Sequence, residues 1–209
     1  MITDEKKPSV YGTMLKILNY LNSPQEQKNL AANLAEIRNS TGRYEDAVGV
    51  WPILFPLIPE EYLGNGSLSY EEKALFVALQ LYAIGQQGSN KMVNDESEKR
   101  RSFGCSLRQI RNERSTSLDR RFNVMLTATT FDEFTYHLRQ IFKLGKSDNT
   151  FSVNFSKLAE DLFWYQNGKN KQISLNWAKD YYRYDNKKDN DQSQTTENDD
   201  QTNENKEAK

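Results

Sequence analysis

The residue types that carry redox, metal and covalent chemistry are nearly missing from this 209-residue chain. One cysteine, Cys105, excludes an internal disulfide, and a lone thiol fits a reducing compartment. One histidine and one cysteine cannot build a Cys/His zinc site. His137, on a helix beside Leu138, reads as a packed or half-exposed side chain rather than a general base. The sequence has no glycine-rich phosphate loop of the Walker or Rossmann type and no nucleophile elbow. That leaves carboxylates, which hold magnesium in many nucleases. The most tempting pair is Glu160-Asp161, but adjacent helix positions point about 100° apart. Asp161 is expected instead as a polar contact beside a Leu158/Leu162 seam. The sequence thus predicts no catalytic residue, no metal and no cofactor. No apolar run approaches the roughly 18 residues that span a bilayer, and the N-terminal MITDEKKPSVYG lacks the apolar core of a signal peptide. The expectation is a cytoplasmic protein without a membrane partner.

Proline is also scarce, and its placement is informative. Three of the five prolines fall among large apolar residues in VGVWPILFPLIPEEY, residues 48–62. This stretch cannot be one regular helix and predicts a buried, broken connection of short turns. Elsewhere the apolar residues recur at helical spacing. Met14, Leu15, Leu18 and Leu21 form one stripe. Ser23-Pro24-Gln25-Glu26 has the pattern of a capping box and predicts a second helix with Leu30, Leu34 and Ile37 inward, stopping near Gly42. Ser69-Tyr70-Glu71-Glu72 predicts another, through Leu75, Leu79 and Tyr82 to Gly85 or Gly88. A helix follows from about Cys105 with Leu107 and Ile110 inward, and the next carries Leu118, Phe122, Met125 and Leu126. Thr130-Phe131-Asp132-Glu133 opens a helix with Phe134, Leu138, Ile141 and Phe142. Asn154 caps one with Leu158, Leu162 and Phe163. Ile173, Trp177, Tyr181 and Tyr184 mark the last. No stretch alternates as a strand does between hairpin turns. The fold class predicted is all-α, a two-lobed helical bundle protein. An N-terminal helical lobe covers 1–90, a basic exposed loop 91–102, and a C-terminal helical bundle 103–184. Residues 185–209 lack aromatics, and their polar composition predicts a disordered acidic tail.

The net charge of −1 conceals a segregation. Residues 185–209 hold eight acids and four bases, so residues 1–184 carry +3. Within residues 99–121 there are eight bases (Lys99, Arg100, Arg101, Arg108, Arg111, Arg114, Arg120, Arg121) against two acids, Glu113 and Asp119. Phosphate feels this local field, because salt screens the distant tail within about 8–10 Å. Arg108 and Arg111 are three apart and are expected on one helix face. Arg120 and Arg121 are expected in a first helical turn, where cations oppose the helix dipole. Arg139 and Lys143, at i and i+4, extend the basic surface. Guanidiniums arranged in this way suit bidentate phosphate binding. For any one arginine a solvated helix face is an equally good reading, and Arg121 has an internal acid, Asp161, as a possible partner. Trp164, Tyr165, Trp177, Tyr181 and Tyr182 have aromatic faces on which bases could stack, but their helical spacing favours core packing.

Five sequence blocks in order add a family resemblance. They are SFGCSL (Ser102 to Leu107), LDRRFNVML (Leu118 to Leu126), HLRQIFKL (His137 to Leu144), LAEDLFWY (Leu158 to Tyr165) and WAKDYY (Trp177 to Tyr182). IRNSTGR (Ile37 to Arg43), VWPILFPLIP and LYAIGQQG (Leu81 to Gly88) are similar as well. Together they resemble the CasB family, the small subunit of the type I-E CRISPR Cascade complex. The resemblance reaches Tyr184 and leaves the acidic tail without a counterpart. It implies a two-lobed helical fold, two copies packed head to tail, other Cascade subunits as partners, and no catalytic site. It also implies sequence-independent backbone contacts to guide RNA, target DNA and the displaced strand that help hold the R-loop open. Strand exchange is nearly balanced in energy in RNA-guided recognition, so a few phosphate contacts tip it. The alternative is a helical protein–protein adaptor whose basic face meets an acidic partner. A third reading, a cryptic nuclease, would depend on Asp161.

Overall fold

Short polar residues set most of the helix starts. In the structure, a computed structural model that describes residues 8–40, 48–89, 91–112 and 115–183, the Ser9 hydroxyl accepts from the Gly12 N–H and opens α1 (Val10–Leu21). α1 buries Val10, Met14, Ile17, Leu18 and Leu21, while Leu15 is only half-buried. The expected box at Ser23 does not open α2. Residues 23–29 form successive turns and α2 spans Leu30–Asn39. The Glu26 carboxylate accepts from the Tyr20 hydroxyl at 2.9 Å and the Asn33 amide at 3.4 Å, so it does not fold back onto Ser23. The proline-rich stretch is broken as expected into α3 (Trp51–Leu54) and two 3-10 turns, Phe55–Leu57 and Glu60–Tyr62.

Ser69 forms its complete capping box. Its hydroxyl accepts from the Glu72 N–H at 3.0 Å, and Glu72 accepts from the Ser69 N–H at 2.7 Å. This box starts α4 (Tyr70–Gln86), whose residues from Ala74 to Gly85 are all buried, as befits a central helix. Ser102 caps α5 (Phe103–Ile110), two residues earlier than the apolar pattern suggests. α6 spans Thr116–Leu126 and α7 spans Phe131–Gly145, with the Thr130 hydroxyl accepting from Glu133 N–H. The Glu133 carboxylate accepts from the N–H and hydroxyl of Thr129. Asn154 caps α8 (Phe155–Trp164). A π-type turn, Tyr165–Lys169, then redirects the chain at Gly168, whose φ of +77° suits glycine, into α9 (Asn170–Tyr182). The expectations at Gly42 and Tyr184 and the acidic tail from residue 185 lie outside the described residues.

Among the described residues the architecture is helical, and the pairing of Asn94 with Val153 is an isolated bridge. α8 packs against α1 and α4, α5 against α9, α6 against α7, and α2 against α4. One continuous apolar cluster joins them. Trp177 is fully buried between Phe103 and Phe134, with ring centroids 5.3 and 5.6 Å away. Removing a side chain of this size from a core costs about 3–5 kcal/mol. The α5–α9 approach is so close that a Cβ on Gly104 would lie 2.2 Å from the Trp177 carbonyl oxygen. Among the described residues no helix is long and apolar enough to cross a membrane.

Candidate nucleic-acid interface

Three of the arginines in the basic set are held by partners within the fold: Arg101 is buried, Arg139 half-buried, and Arg111 exposed but ion-paired. Arg101, expected in an exposed loop, is buried with Ser102. It donates to the Asp95 carboxylate, the Gln109 side chain and the Ser152 hydroxyl. Its segment is drawn in because the Val93 carbonyl accepts from the Val153 N–H and the Val153 carbonyl from the Asp95 N–H, each at 3.0 Å. Hydrogen bonds from Ser97, with Arg101 nearby, hold the Asp95 carboxyl below its ordinary range.

Arg111 does not share a helix face with Arg108. It sits at the C-cap of α5 with extended backbone. Its guanidinium grips both oxygens of Asp119, at 2.9 and 3.1 Å, and lies 5.4 and 5.3 Å from the ring centres of Tyr181 and Tyr182. The Arg111 hydrogen bonds depress the Asp119 carboxyl. Burial and the hydrogen bond to Asp119 raise the Tyr181 phenol. This cluster ties α5, α6 and α9 together. Arg139 stands one turn after the buried Thr135 on the inner flank of α7 and donates to Gln80 of α4 at 3.2 Å. It therefore does not join Lys143, which is exposed.

Among the described residues, four outward-facing bases line two clefts. Exposed Lys99 and Arg100 line a cleft of about 550 Å³ with Ser9, Tyr11, Lys157 and Glu160, and the Lys99 ammonium lies 5.4 Å from the Tyr11 ring centre. Exposed Arg120 and Arg121 line a cleft of about 360 Å³ between α6 and α7, with Val124, Tyr136, His137 and Gln140. Both arginines sit in the second turn of α6, because Thr116 begins that helix. The dipole argument for their placement therefore falls away. Arg121 does not pair with Asp161, whose carboxylate accepts from Lys157 and Trp177. Among the described residues Lys99, Arg100, Arg120, Arg121 and Lys143 make no ion pair. Arg108 is half-buried in the last turn of α5, and Arg114 lies outside the described residues.

Sequence reasoning missed Tyr11 and Tyr136 as companions of these bases. Tyr11 flanks the Met14 stripe and Tyr136 falls two residues from Phe134 and Leu138, so each departs from the inward spacing. That departure is the signal available in the sequence. Glu160 and Asp161 do converge, though only on the Lys157 ammonium, at 2.8 and 2.7 Å. Among the described residues no group of three or more His, Cys, Asp or Glu side chains is placed to hold a metal ion.

Residues 33–182 match the family described as CRISPR-associated protein Cse2. The chain belongs to the Cse2 family. Solved Cse2 and CasB structures share its fold. CasB from M. ruber aligns at a TM-score of 0.63 and 21% identity, covering 90% of this chain and 98% of that one. CasB from Thermobifida fusca aligns at 0.61 and 21%, covering 83% and 95%. A chain of a "CRISPR RNA-guided surveillance complex" aligns at 0.62 and 16%, covering 89% and 99%. The search of curated proteins gives no match. Cse2 membership agrees with the CasB resemblance of the five sequence blocks, and the arginines in those blocks divide between structural and exposed roles. Arg139 of HLRQIFKL is structural, while Arg120 and Arg121 of LDRRFNVML are exposed.

Proposed function

We propose that this Cse2-family chain is the small, non-catalytic subunit of a type I-E CRISPR RNA-guided surveillance complex. It grips nucleic-acid backbone on Lys99, Arg100, Arg120, Arg121 and Lys143 and helps hold the R-loop open. Its partners are the other complex subunits, a second copy of itself, guide RNA and target DNA. The observation that carries this reading is the cleft of Arg120 and Arg121, two exposed guanidiniums without a carboxylate in its lining. Family membership and the shared fold with a surveillance-complex chain support it. A guanidinium left exposed and unpaired is ready for bidentate contact with phosphate oxygens. Such contacts carry no sequence information, as suits a subunit beside a guide strand that reads sequence by base pairing.

The test changes Lys99, Arg100, Arg120 and Arg121 together to Ala in the reconstituted complex. Each lost phosphate contact lowers the slope of log affinity against log salt by about 0.7 for single strands and about 0.9 for duplex. Four lost contacts therefore flatten the slope by roughly 3 and shorten the R-loop lifetime. An unchanged slope together with an unchanged lifetime overturns the proposal. A stable acidic protein partner bound through the same residues would then favour the adaptor reading.

A further inference from the structure

We propose that the α6–α7 cleft seats one unpaired nucleotide, with its base stacked on Tyr136 and its flanking phosphates held by Arg120 and Arg121. This rests on the backbone-grip reading and adds to it a preference for single strands with bases. The first observation is that Tyr136 is 57% exposed and Val124 44% exposed, although both sit on helices whose other faces are well buried. The core needs neither, yet the two share one cleft with two guanidiniums. The second is orientation. Tyr136 and His137 meet edge to face, with centroids 5.2 Å apart and planes at 76°, an arrangement that steadies an aromatic pair.

The third observation is charge. The nearby acids are committed elsewhere or stand outside the lining. Asp119, next to Arg120, is held by Arg111 and the Tyr181 hydroxyl. Glu133, one turn before His137, accepts from the Thr129 N–H at 2.8 Å and hydroxyl at 3.2 Å. Asp132, a turn before Tyr136, does not line the cleft. An anion entering here meets cations and a π-face. The Lys99 cleft differs, since it contains Glu160 and its tyrosine already faces Lys99. Gln140 and Lys143 follow Tyr136 at i+4 and i+7, so Lys143 stands about 10 Å further along the same face of α7. It is placed for a phosphate of the next part of the strand. A base held in a duplex presents no free face to Tyr136, whereas an unpaired base does. Every base has such a face, so the seat is indifferent to sequence.

The test uses the full chain with four probes: short oligothymidylate, oligouridylate, an abasic deoxyribose-phosphate oligomer of the same length, and a duplex. Stacking of one base predicts roughly tenfold tighter binding of the thymidylate than of the abasic oligomer. Tyr136→Ala should erase that difference, and Tyr136→Phe should restore it to within about twofold. The exposed position of Tyr136 keeps both variants foldable, and their denaturation midpoints check this. Arg120→Ala should weaken thymidylate and abasic binding alike and flatten both salt slopes. Comparing thymidylate with uridylate identifies which kind of strand fits the seat. Equal binding of thymidylate and abasic oligomers with the Arg120 effect intact overturns the seat and leaves the backbone grip standing. Absence of binding to every probe overturns the seat, and the reconstituted complex then judges the grip separately.

Discussion

Asp161 gives the sharpest test of how the helices are locked. Its side chain is 4% exposed. One oxygen accepts from the Trp177 indole at 2.8 Å and the other from the Lys157 ammonium at 2.7 Å. Asp161→Ala leaves a fully buried indole N–H without an acceptor, at a cost of about 1–3 kcal/mol. It also breaks a buried ion pair from one side, at about 3–5 kcal/mol. The two costs overlap, since both come from one carboxylate. Burial itself pushes the Asp161 carboxyl upward, so deleting it recovers some desolvation energy. Lys157 retains Glu160, at 2.8 Å and partly in water. The expected loss is therefore about 3 kcal/mol, near the lower end. Asp161→Asn keeps an acceptor for Trp177 and should lose less, about 1–2 kcal/mol. Urea unfolding with an unchanged m-value measures both. A loss below about 1 kcal/mol for Asp161→Ala, or a larger loss for Asn than for Ala, refutes the network. The same geometry argues against Asp161 as a metal-bearing catalytic residue, because both oxygens already have donors.

Two further predictions concern the partnered arginines and their carboxylates. Arg111→Ala should lower the unfolding midpoint, because it frees Asp119 and uncovers Tyr181 and Tyr182; Arg120→Ala should leave the midpoint within about 0.5 kcal/mol of wild type, and a reversed order in thermal unfolding sinks this division of labour. Acid should destabilise the fold through Asp95 and Asp119. Their folded values lie below the ordinary 3.8, so their contribution is complete above about pH 4 and is lost as pH falls through the folded values. Asp161, raised by burial, works in the opposite direction. Chemical unfolding at pH 6 and pH 3 should therefore show a loss that shrinks in Asp95→Asn and Asp119→Asn, and an equal loss in these variants contradicts the assignment.

How far the sequence could be read varies by feature. The Ser69 box was legible because every partner lies within four residues, and the broken stretch at 48–62 because proline removes its own N–H. The failed box at Ser23 has the same local pattern. It lost to Tyr20 and Asn33, whose approach depends on how α1 and the start of α2 meet. The division of the basic residues was illegible for a similar reason. Nothing adjacent to Arg101 announces Asp95, Gln109 and Ser152 as joint partners, and Arg139 finds Gln80 from 59 residues away. A run of bases records how many charges there are, while the tertiary pairing decides which of them face water.

That pairing also sets partnered and outward-facing arginines close together in sequence. Arg101 follows Lys99 and Arg100 directly and fastens their segment to α5 and to the residues preceding α8. Arg111 holds Asp119, and Asp119 is the neighbour of Arg120 on α6. Each exposed pair thus adjoins either the buried Arg101 or an acid, Asp119, held by the ion-paired Arg111. A phosphate grip needs cations whose positions are set before the strand arrives, since ordering long side chains and their backbone opposes binding. In the proposed grip the structural arginines would supply that order, leaving the exposed ones for the strand.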